Sequence, residues 1–195
     1  VIKAGRVKRV DVGCVKYNDK YSACHHRYFI NCINIGLVAS LQNLRSRTRS
    51  LLGSRTLSYI TSAMLLITQR LGYKMRLKIN GEEISKNVMS ICVGNSYGYG
   101  QTPSAVPYNG WLDVSAIRMP KFLGILEGLH MLMRRRILNF KLVEPFRTTD
   151  ILIEDVGGAG IGIDGRPFKP EFPLRVVVEP ESLNLIIPSK INKKS

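Results

Sequence analysis

Two short stretches of the sequence contain residue types that could bind a metal ion or surround a phosphate group. The first is Cys24-His25-His26, whose thiol and imidazole groups are ligands that zinc prefers. A zinc site needs a second Cys/His cluster at ligand spacing, and the only further histidine is His130, so the sequence argues against zinc. The second is the glycine-rich stretch 157–162. It lacks the Gly-Lys-Ser/Thr ending of a phosphate-binding loop, and it predicts a flexible connection between strands.

The four cysteines indicate a reducing environment. Their positions are widely spaced and contain no Cys-x-x-Cys pair, and no stretch resembles a signal peptide. We therefore predict reduced thiols at Cys14, Cys24, Cys32 and Cys92 in a cytoplasmic protein, with peripheral association to a membrane left open. A membrane span is not predicted, because apolar runs such as 63–67 are far shorter than the roughly 20 residues that cross a bilayer.

The net charge points to an anionic partner. The 195 residues include 29 Lys and Arg against 14 Asp and Glu, a formal charge of +15. Such a charge suits nucleic acid, phospholipid headgroups or a phosphorylated substrate. The basic residues lie in separate clusters, which is equally typical of a solvated surface. Few aromatic residues are interleaved in the arginine-bearing stretch 45–55, and this weakens a prediction of RNA stacking.

Most of the secondary structure that the sequence predicts is β-strand. The stretch 75–79 alternates apolar and basic residues and runs into Asn80-Gly81, which favours a tight hairpin turn before a return strand around 88–93. Asp164-Gly165 is a second turn of this kind, entered by 161–163. Further strands are predicted at Val7–Val12, Tyr28–Ile33, Trp111–Ile117, Asp150–Glu154, Leu174–Glu179 and Leu183–Ile187.

Helical periodicity interrupts the strands in two places. Ser54 can cap a helix whose apolar residues recur every three or four positions until Gly72, after an earlier turn or two around 37–44. A second apolar stripe runs from Phe122 to Met133 and ends in three arginines. The fold class is therefore α+β, predominantly antiparallel β: a β-sandwich with a few packed helices.

Six local patterns, taken in order, resemble the diacylglycerol kinase and sphingosine kinase superfamily of lipid kinases. The segment 27–36 (RYFINCINIG) is similar to the family's "RYFINVASIG" strand and turn, and 53–59 to its "GrlaY" helix start. The remaining four segments resemble the family motifs "NGRYFGGG", "PDAxxDDGLLDV", "DGEP" and "LRVLVP"; they are 93–100, 103–114, 163–167 and 183–188.

The resemblance covers only the second, substrate-side domain of these kinases. It implies one β-sandwich domain over 1–195, with a core of about 7–188 and a basic tail at 189–195. It also implies that the chain is a fragment lacking an N-terminal nucleotide-binding domain, which would be its partner. In the family, ATP and lipid lie in the cleft between the two domains, so the resemblance implies ATP and Mg²⁺ as cofactors of the full-length protein.

The resemblance also implies the candidate site residues. Asp164 and Arg166 are the catalytic candidates and Gly165 the cofactor-binding one, at the family's Asp-Gly-Glu motif. Arg166 replaces the family's glutamate, and a guanidinium cannot accept a proton but can pair with a phosphate. The loop positions Val106, Asn109 and Trp111 are candidates for a structural divalent cation. Asn109 stands where the family has a carboxylate, which weakens such a site, and both Asn-Gly and Asp-Gly are also plain turn formers.

The function implied is that of a domain of an ATP-dependent lipid kinase, a phosphotransferase acting on a lipid hydroxyl at an anionic membrane surface. The isolated chain is expected to fold and to be inactive. One alternative is a basic nucleic-acid-binding β-domain, and another is a kinase-like domain that binds lipid without catalysis. Self-association as a homo-oligomer is left open.

Overall fold

The computed structural model describes residues 6–37, 39, 72–97, 101–119, 131, 136–139 and 141–187. Within these ranges the chain forms eleven strands and one short 3-10 turn, Ile137–Asn139. The strands are β1 (Arg6–Asn18), β2 (Cys24–Phe29), β3 (Cys32–Gly36), β4 (Tyr73–Ile79), β5 (Glu82–Gly94), β6 (Leu112–Arg118), β7 (Val143–Thr148), β8 (Asp150–Asp155), β9 (Ile161–Ile163), β10 (Arg166–Phe168) and β11 (Leu174–Ile187).

All described strand pairs are antiparallel and belong to one sheet. Its order is β10-β9-β3-β5-β4-β8-β11-β1-β2, and β6 and β7 branch from β5. The predominantly antiparallel β architecture is confirmed. The predicted helices at 54–71 and 122–133 fall almost wholly outside the described residues. Among those residues, no helix is long and apolar enough to cross a membrane.

The β4–β5 hairpin forms as its sequence pattern predicts. Along β4, residues 75, 77 and 79 are buried and residues 74, 76 and 78 are exposed, as strict alternation of apolar and basic side chains requires. Asn80 (φ 53°) and Gly81 (φ 83°) occupy the left-handed region and join Ile79 to Glu82 across a two-residue turn. The return strand begins directly after the turn, earlier than predicted.

Three strand predictions need correction. The predicted strand Tyr28–Ile33 is wrong, because the chain leaves β2 after Phe29, turns through residues 30–31 and starts β3 at Cys32. The two strands predicted at Leu174–Glu179 and Leu183–Ile187 are one continuous strand, β11. Strand β7 was not predicted, and its Pro145 lacks a backbone N–H donor. A proline is tolerated there because, among the described strands, β7 pairs only with β6 and so lies at an edge.

The sheet curls so that strands at opposite ends of its order meet. Phe168 of β10 packs edge-on against Tyr17 of β1, with ring centroids 5.3 Å apart. The Arg27 guanidinium of β2 lies 5.0 Å from the centre of the same Phe168 ring. The apolar core fills the inside of this curl and includes Phe29, Met75 and Leu112, all almost fully buried. The β9–β10 turn lies beside the start of β3 because β9 pairs directly with β3, with Ile163 opposite Ile33.

Candidate functional site

Asp164 and Gly165 are the two central residues of the β9–β10 turn. Their φ angles are 46° and 79°, and Ile163 pairs directly with Arg166 across the turn. Two residues with positive φ define the hairpin turn that the Asp-Gly dipeptide favours. The turn prediction is confirmed, and all three residues predicted at this motif lie together.

The Asp164 side chain reaches across the sheet to the place where β2 becomes β3. Its Oδ1 accepts the N–H groups of Asn31 and Cys32, and its Oδ2 accepts that of Ile30, all at 2.9 Å. The Asp164 N–H in turn donates to the Cys32 carbonyl at 3.0 Å. The change of direction between the strands leaves these N–H groups without a partner strand, so the carboxylate supplies the acceptors they need. We call Asp164 with Ile30, Asn31 and Cys32 the Asp164 corner.

A second set of contacts joins the Asp164 corner to the end of β5. The Asn31 carbonyl accepts the N–H groups of Asn95 and Ser96, at 2.9 and 3.1 Å, and the Ser96 hydroxyl donates to Asn31 Oδ1 at 2.8 Å. The buried Asn95 amide donates to two carbonyls, those of Ile30 and Asp11, each at 2.9 Å. Asn95 therefore connects the corner to β1. Asn95 and Ser96 were not predicted as site residues; their segment, 93–100, was noted only because it resembles a family motif.

A row of buried polar side chains continues from the corner. Gln101 donates to Asn34 Oδ1 at 3.0 Å, and Asn34 donates to the Cys32 sulfur at 3.2 Å. Among the described residues, Gln101 Oε1 and Asn95 Oδ1 have no hydrogen-bond partner although both are buried. Buried acceptors without a donor are uncommon, so these two atoms mark places beside the corner where a water molecule or a ligand could donate.

Two buried thiols of the sheet, those of Cys14 and Cys92, have raised pKa values. None of the four cysteines forms a disulfide, and only Cys24 is exposed. Burial, followed by the nearby Glu179 carboxylate, raises the pKa of the Cys14 thiol to about 11. Burial also raises the pKa of the Cys92 thiol, and its contact with Cys32 acts in the same direction. Neither Cys14 nor Cys92 therefore has the character of a nucleophile.

Arg166 lies on the surface beside the turn. Its side chain is exposed, and no carboxylate of the described residues lies within ion-pair distance of it. Arg27 likewise forms no ion pair with a described carboxylate and packs on the Phe168 ring, two residues along β10 from Arg166. A guanidinium without a carboxylate partner is available to bind a phosphate group through two parallel hydrogen bonds.

The predicted cation loop is closed by hydrogen bonds of its own. Asn109 Oδ1 accepts the Trp111 N–H at 3.0 Å, and the Val106 carbonyl accepts the Tyr108 N–H at 2.9 Å. The Gly110 N–H donates to Asp11 Oδ2 at 2.7 Å. This arrangement is a side-chain-stabilised turn, which is the plain alternative to a cation site.

Asp11 is a buried carboxylate that the sequence did not single out. It lies at an irregularity in the β1–β11 register, between Val10 and Val12, and is only 2% exposed. Its Oδ1 accepts the Glu181 N–H at 2.9 Å, while Oδ2 accepts Gly110. Each carboxylate oxygen at the loop therefore already has a donor, and the loop in this form does not fit a hard divalent cation, which needs several free oxygen ligands.

The Cys24-His25-His26 stretch lies on β2, where successive side chains point to opposite faces. The ring of His25 contacts Asp19 Oδ2 at 3.0 Å, and the ring of His26 lies 3.6 Å from the Cys24 sulfur. The described part of the chain contains no group of three or more His, Cys, Asp or Glu side chains that could hold a metal ion.

A second polar cluster lies against β6 and β7. Arg147 pairs with the buried Asp113 carboxylate through Nε at 2.7 Å, and Ser104 donates to the same carboxylate at 2.8 Å. The bond to Asp113 raises the pKa of Arg147 above its ordinary value. These groups line an open cavity of about 320 Å³ together with apolar residues such as Phe146. Asp113 was not predicted as a site residue; it lies in segment 103–114, which resembles a family motif.

Comparison with known proteins gives one family and several similar folds. The family model described as the YegS C-terminal NAD kinase beta sandwich-like domain matches residues 31–187. No curated protein gives a significant match to the sequence.

Three solved structures illustrate the fold similarity. A diacylglycerol kinase from Bacillus anthracis str. Sterne superimposes with a TM-score of 0.59 at 14% identity, covering 93% of this chain and 56% of its own. Another crystal structure from that strain gives 0.62 at 15% identity, with 93% and 58% covered. Yeast NADH kinase complexed with NADH gives 0.54 at 11% identity, with 96% and 46% covered. The chain thus spans a little over half of the two bacterial proteins and just under half of the yeast protein, and at these identities the similarity is one of fold.

Proposed function

Since this chain belongs to the YegS C-terminal NAD kinase beta sandwich-like domain family, we propose that it is the substrate-side domain of an ATP-dependent kinase that phosphorylates a lipid hydroxyl. The observation that carries the proposal is the family match over 31–187, which includes Asp164, Asn31 and Cys32 of the corner and the turn that holds Arg166. The relation to kinases is established by the family. The lipid as substrate is our inference, supported by the structural similarity to a diacylglycerol kinase and by the basic charge of the chain.

In this proposal Asp164 acts as a positioning residue. Its carboxylate fixes the backbone of residues 30–32 and so sets where Gly165 and Arg166 stand. Both carboxylate oxygens already accept N–H groups, which leaves Asp164 poorly placed to take a proton from a hydroxyl. Phosphoryl transfer depends mainly on positioning and on stabilising negative charge, so a corner of this kind suits the reaction without a general base.

Arg166 would be the group that meets the phosphate. A guanidinium presents N–H donors in a planar fork that matches two phosphate oxygens. Gly165, which has no side chain, stands beside it in the turn. ATP, with Mg²⁺, supplies the phosphoryl group when bound, and we expect the nucleotide to be held largely by a second domain, because the described residues contain no glycine-rich turn between a strand and a helix.

Two alternatives remain open to test. A domain that binds lipid without catalysis is favoured by Arg166, because the family's carboxylate is missing from that position. Binding of nucleic acid is less well supported, since eight described Lys and Arg side chains lie within ion-pair distance of a carboxylate. A salt titration with duplex DNA and single-stranded RNA tests it: a steep loss of affinity with salt would support phosphate contact, and no binding at low salt would exclude it.

The decisive experiment is Arg166→Glu in the full two-domain protein, with lipid phosphorylation and nucleotide affinity as readouts. If Arg166 binds a phosphate, the change removes a charge-assisted contact of roughly 1.5–3 kcal/mol, and affinity falls about ten- to a hundredfold. Lys169→Glu, also an exposed cation reversed nearby, is the matched control and should change little. A rise in turnover would mean that a carboxylate is the catalytic group here, and unchanged values would make the turn purely structural.

A companion measurement uses the 195-residue chain alone. We expect it to fold and to show no ATP-dependent phosphorylation of lipid, because its sequence contains no Gly-Lys-Ser/Thr phosphate-binding loop. A kinase signal with the purified chain that Asp164→Ala abolishes would contradict this expectation.

A further inference from the structure

The far end of the β1–β11 pair extends beyond the core as a two-stranded ribbon. We call residues 6–10 of β1 and 183–187 of β11 the outer ribbon; they pair from Arg6 opposite Ile187 to Val10 opposite Leu183. Only Val10, at its base, is buried, while the other residues of its β1 half are exposed. In the β11 half, residues 184–186 are exposed, and Leu183 and Ile187 are half-buried. The core therefore leaves most of this ribbon uncovered.

Large apolar side chains are exposed on both faces of the outer ribbon. Val7 and Ile186 are directly opposite each other and share one face, with 65% and 50% of their surface exposed. Leu185 is opposite Lys8 on the other face and is 47% exposed. A partner protein that packs on one face would leave the other in water. An apolar environment that surrounds the tip would cover both.

The charge of the outer ribbon has a single sign. Arg6, Lys8 and Arg9 belong to it, and its ten residues include no Asp or Glu. Arg9 approaches Glu181 at 3.6 Å, but both side chains are largely exposed, so this pair is weak. The ribbon thus combines exposed apolar side chains with three cations, and no carboxylate of the ribbon itself opposes them.

Two exposed aromatic residues lie in the loop that is bound to the base of this ribbon. Asp11 holds the loop through the Gly110 N–H and through its own N–H, which donates to the Pro107 carbonyl at 2.8 Å. The Lys8 ammonium lies 3.6 Å above the Tyr108 ring. Tyr108 and Trp111, the only tryptophan of the chain, are 55% and 44% exposed. Tyrosine and tryptophan are enriched where a protein meets the headgroup layer of a membrane.

From these observations we propose that the outer ribbon, with Tyr108 and Trp111, docks the chain on an anionic phospholipid surface. The tip enters the interfacial layer with both faces covered, Val7, Leu185 and Ile186 meet the acyl boundary, and the cations lie among the headgroups. The proposal goes beyond the kinase assignment, because neither Arg166 nor the Asp164 corner takes part. It requires no nucleotide and no turnover.

The test measures co-sedimentation of the 195-residue chain with phosphatidylcholine vesicles, with and without about one-third phosphatidylserine. We expect binding only to the anionic vesicles. Neutralising the ribbon with Arg6→Gln, Lys8→Gln and Arg9→Gln should lower affinity about a hundredfold, at roughly fivefold for each cation near the surface. The matched control, Lys20→Gln with Lys74→Gln and Lys141→Gln, removes the same charge elsewhere and should lower affinity far less. An equal loss in both variants would overturn the proposal, because net charge alone would then explain binding.

The apolar contribution is tested separately with Val7→Thr, Leu185→Thr and Ile186→Thr. Threonine keeps the strand preference of the ribbon, so folding should survive, and circular dichroism checks this. We expect at least a tenfold loss of affinity that persists at high salt. No loss would overturn insertion of the tip. If this variant does not fold, Val7→Thr alone replaces it and should still weaken binding severalfold.

Trp111 provides a direct readout of docking, because it is the only tryptophan. Its emission should shift to shorter wavelength on anionic vesicles and be quenched by lipids brominated near the headgroup. An unchanged spectrum under conditions of full binding would overturn the proposed orientation. Equal affinity of the wild type and the threonine variant for a soluble polyanion, without any vesicle binding, would assign the surface to another partner and overturn the lipid proposal.

Discussion

The Asn80-Gly81 turn and the Asp164-Gly165 turn share a backbone and differ in what their side chains contact. Both place two residues at positive φ, and these two residues form the whole loop of the hairpin. The Asn80 amide makes one exposed hydrogen bond, to the Arg147 carbonyl at 3.1 Å. The Asp164 carboxylate accepts three backbone N–H groups, two of them part-buried.

The difference arises from where each hairpin lies. The two strands that the β4–β5 turn joins already pair with neighbouring strands, so few backbone groups near the turn need a hydrogen bond from its side chain. The β9–β10 turn lies against the corner where β2 passes into β3, and the N–H groups of that corner have no neighbouring strand. The same backbone turn therefore only closes a hairpin in one place and, in the other, carries a side chain that joins distant parts of the chain.

The comparison is tested most strongly by Asp164→Ala beside Asn80→Ala. Both changes put alanine at a positive φ, so their backbone costs are similar and cancel in the difference. We expect Asp164→Ala to lower the free energy of unfolding by about 3 kcal/mol more, because three N–H groups lose their acceptor. Urea denaturation measures both values.

A third variant, Asp164→Asn, refines this measurement. Asparagine tolerates the positive φ and keeps one acceptor oxygen, so its loss should fall between wild type and Asp164→Ala. Equal losses for Asp164→Ala and Asn80→Ala would mean that the carboxylate adds nothing beyond the turn, and the distinction between the two turns would fail.

The reactivity of buried thiols gives a second test. Cys32 belongs to the Asp164 corner and is fully buried, whereas Cys24 is exposed. In a Cys24→Ser background, we expect Asp164→Ala to raise the rate at which the slow thiols react with a thiol reagent by at least about tenfold, because the corner opens more often. Asn80→Ala should leave that rate almost unchanged, and an equal rise in both variants would count against a local role for the corner.

Substitution of the two glycines should, by contrast, give similar results. Gly165→Ala and Gly81→Ala each force alanine to a φ near +80°, at a cost of about 1–2 kcal/mol. A Cβ at Gly81 would meet no atom within 4 Å, so its cost there is the backbone alone. Thermal unfolding of the two variants compares them. A much larger loss at Gly165 would show that the Asp164 corner depends on the turn backbone as well as on the carboxylate.

The smallest effect is expected from the ion pairs beside the β4–β5 hairpin. The Lys78 ammonium lies 3.2 Å from Glu154, and both side chains are partly exposed. Such a pair contributes little, so Lys78→Gln should change the free energy of unfolding by less than about 0.5 kcal/mol. A loss above 1 kcal/mol in urea denaturation would mean that the hairpin is stabilised by more than its turn and its apolar face.

The sequence predicts local features well and distant contacts poorly. Asn80-Gly81 and Asp164-Gly165 are readable because a turn depends on its own two residues. The corner at residues 30–31 is not readable, since apart from Asn31 the stretch 28–33 has strand-like side chains. The acceptor of the N–H groups at the corner, Asp164, lies more than 130 residues away. Asp11 could not be predicted for the same reason, because its hydrogen-bond donors, Gly110 and Glu181, are distant in the sequence and come close only in the fold. The candidate site residues were placed by resemblance, and their roles stay predictions.

The register of β1 with β11 determines how the domain responds to force. Arg6 is opposite Ile187, so the outer ends of these two strands lie side by side and the strands run from there to the pair Tyr17–Leu174. A force that pulls these two ends apart acts parallel to the hydrogen bonds between β1 and β11. It therefore loads the residue pairs one after another, starting at the outer end, and not all of them together. The strands should therefore part by unzipping at low load, starting with the outer ribbon and meeting their first firm resistance at the buried Asp11.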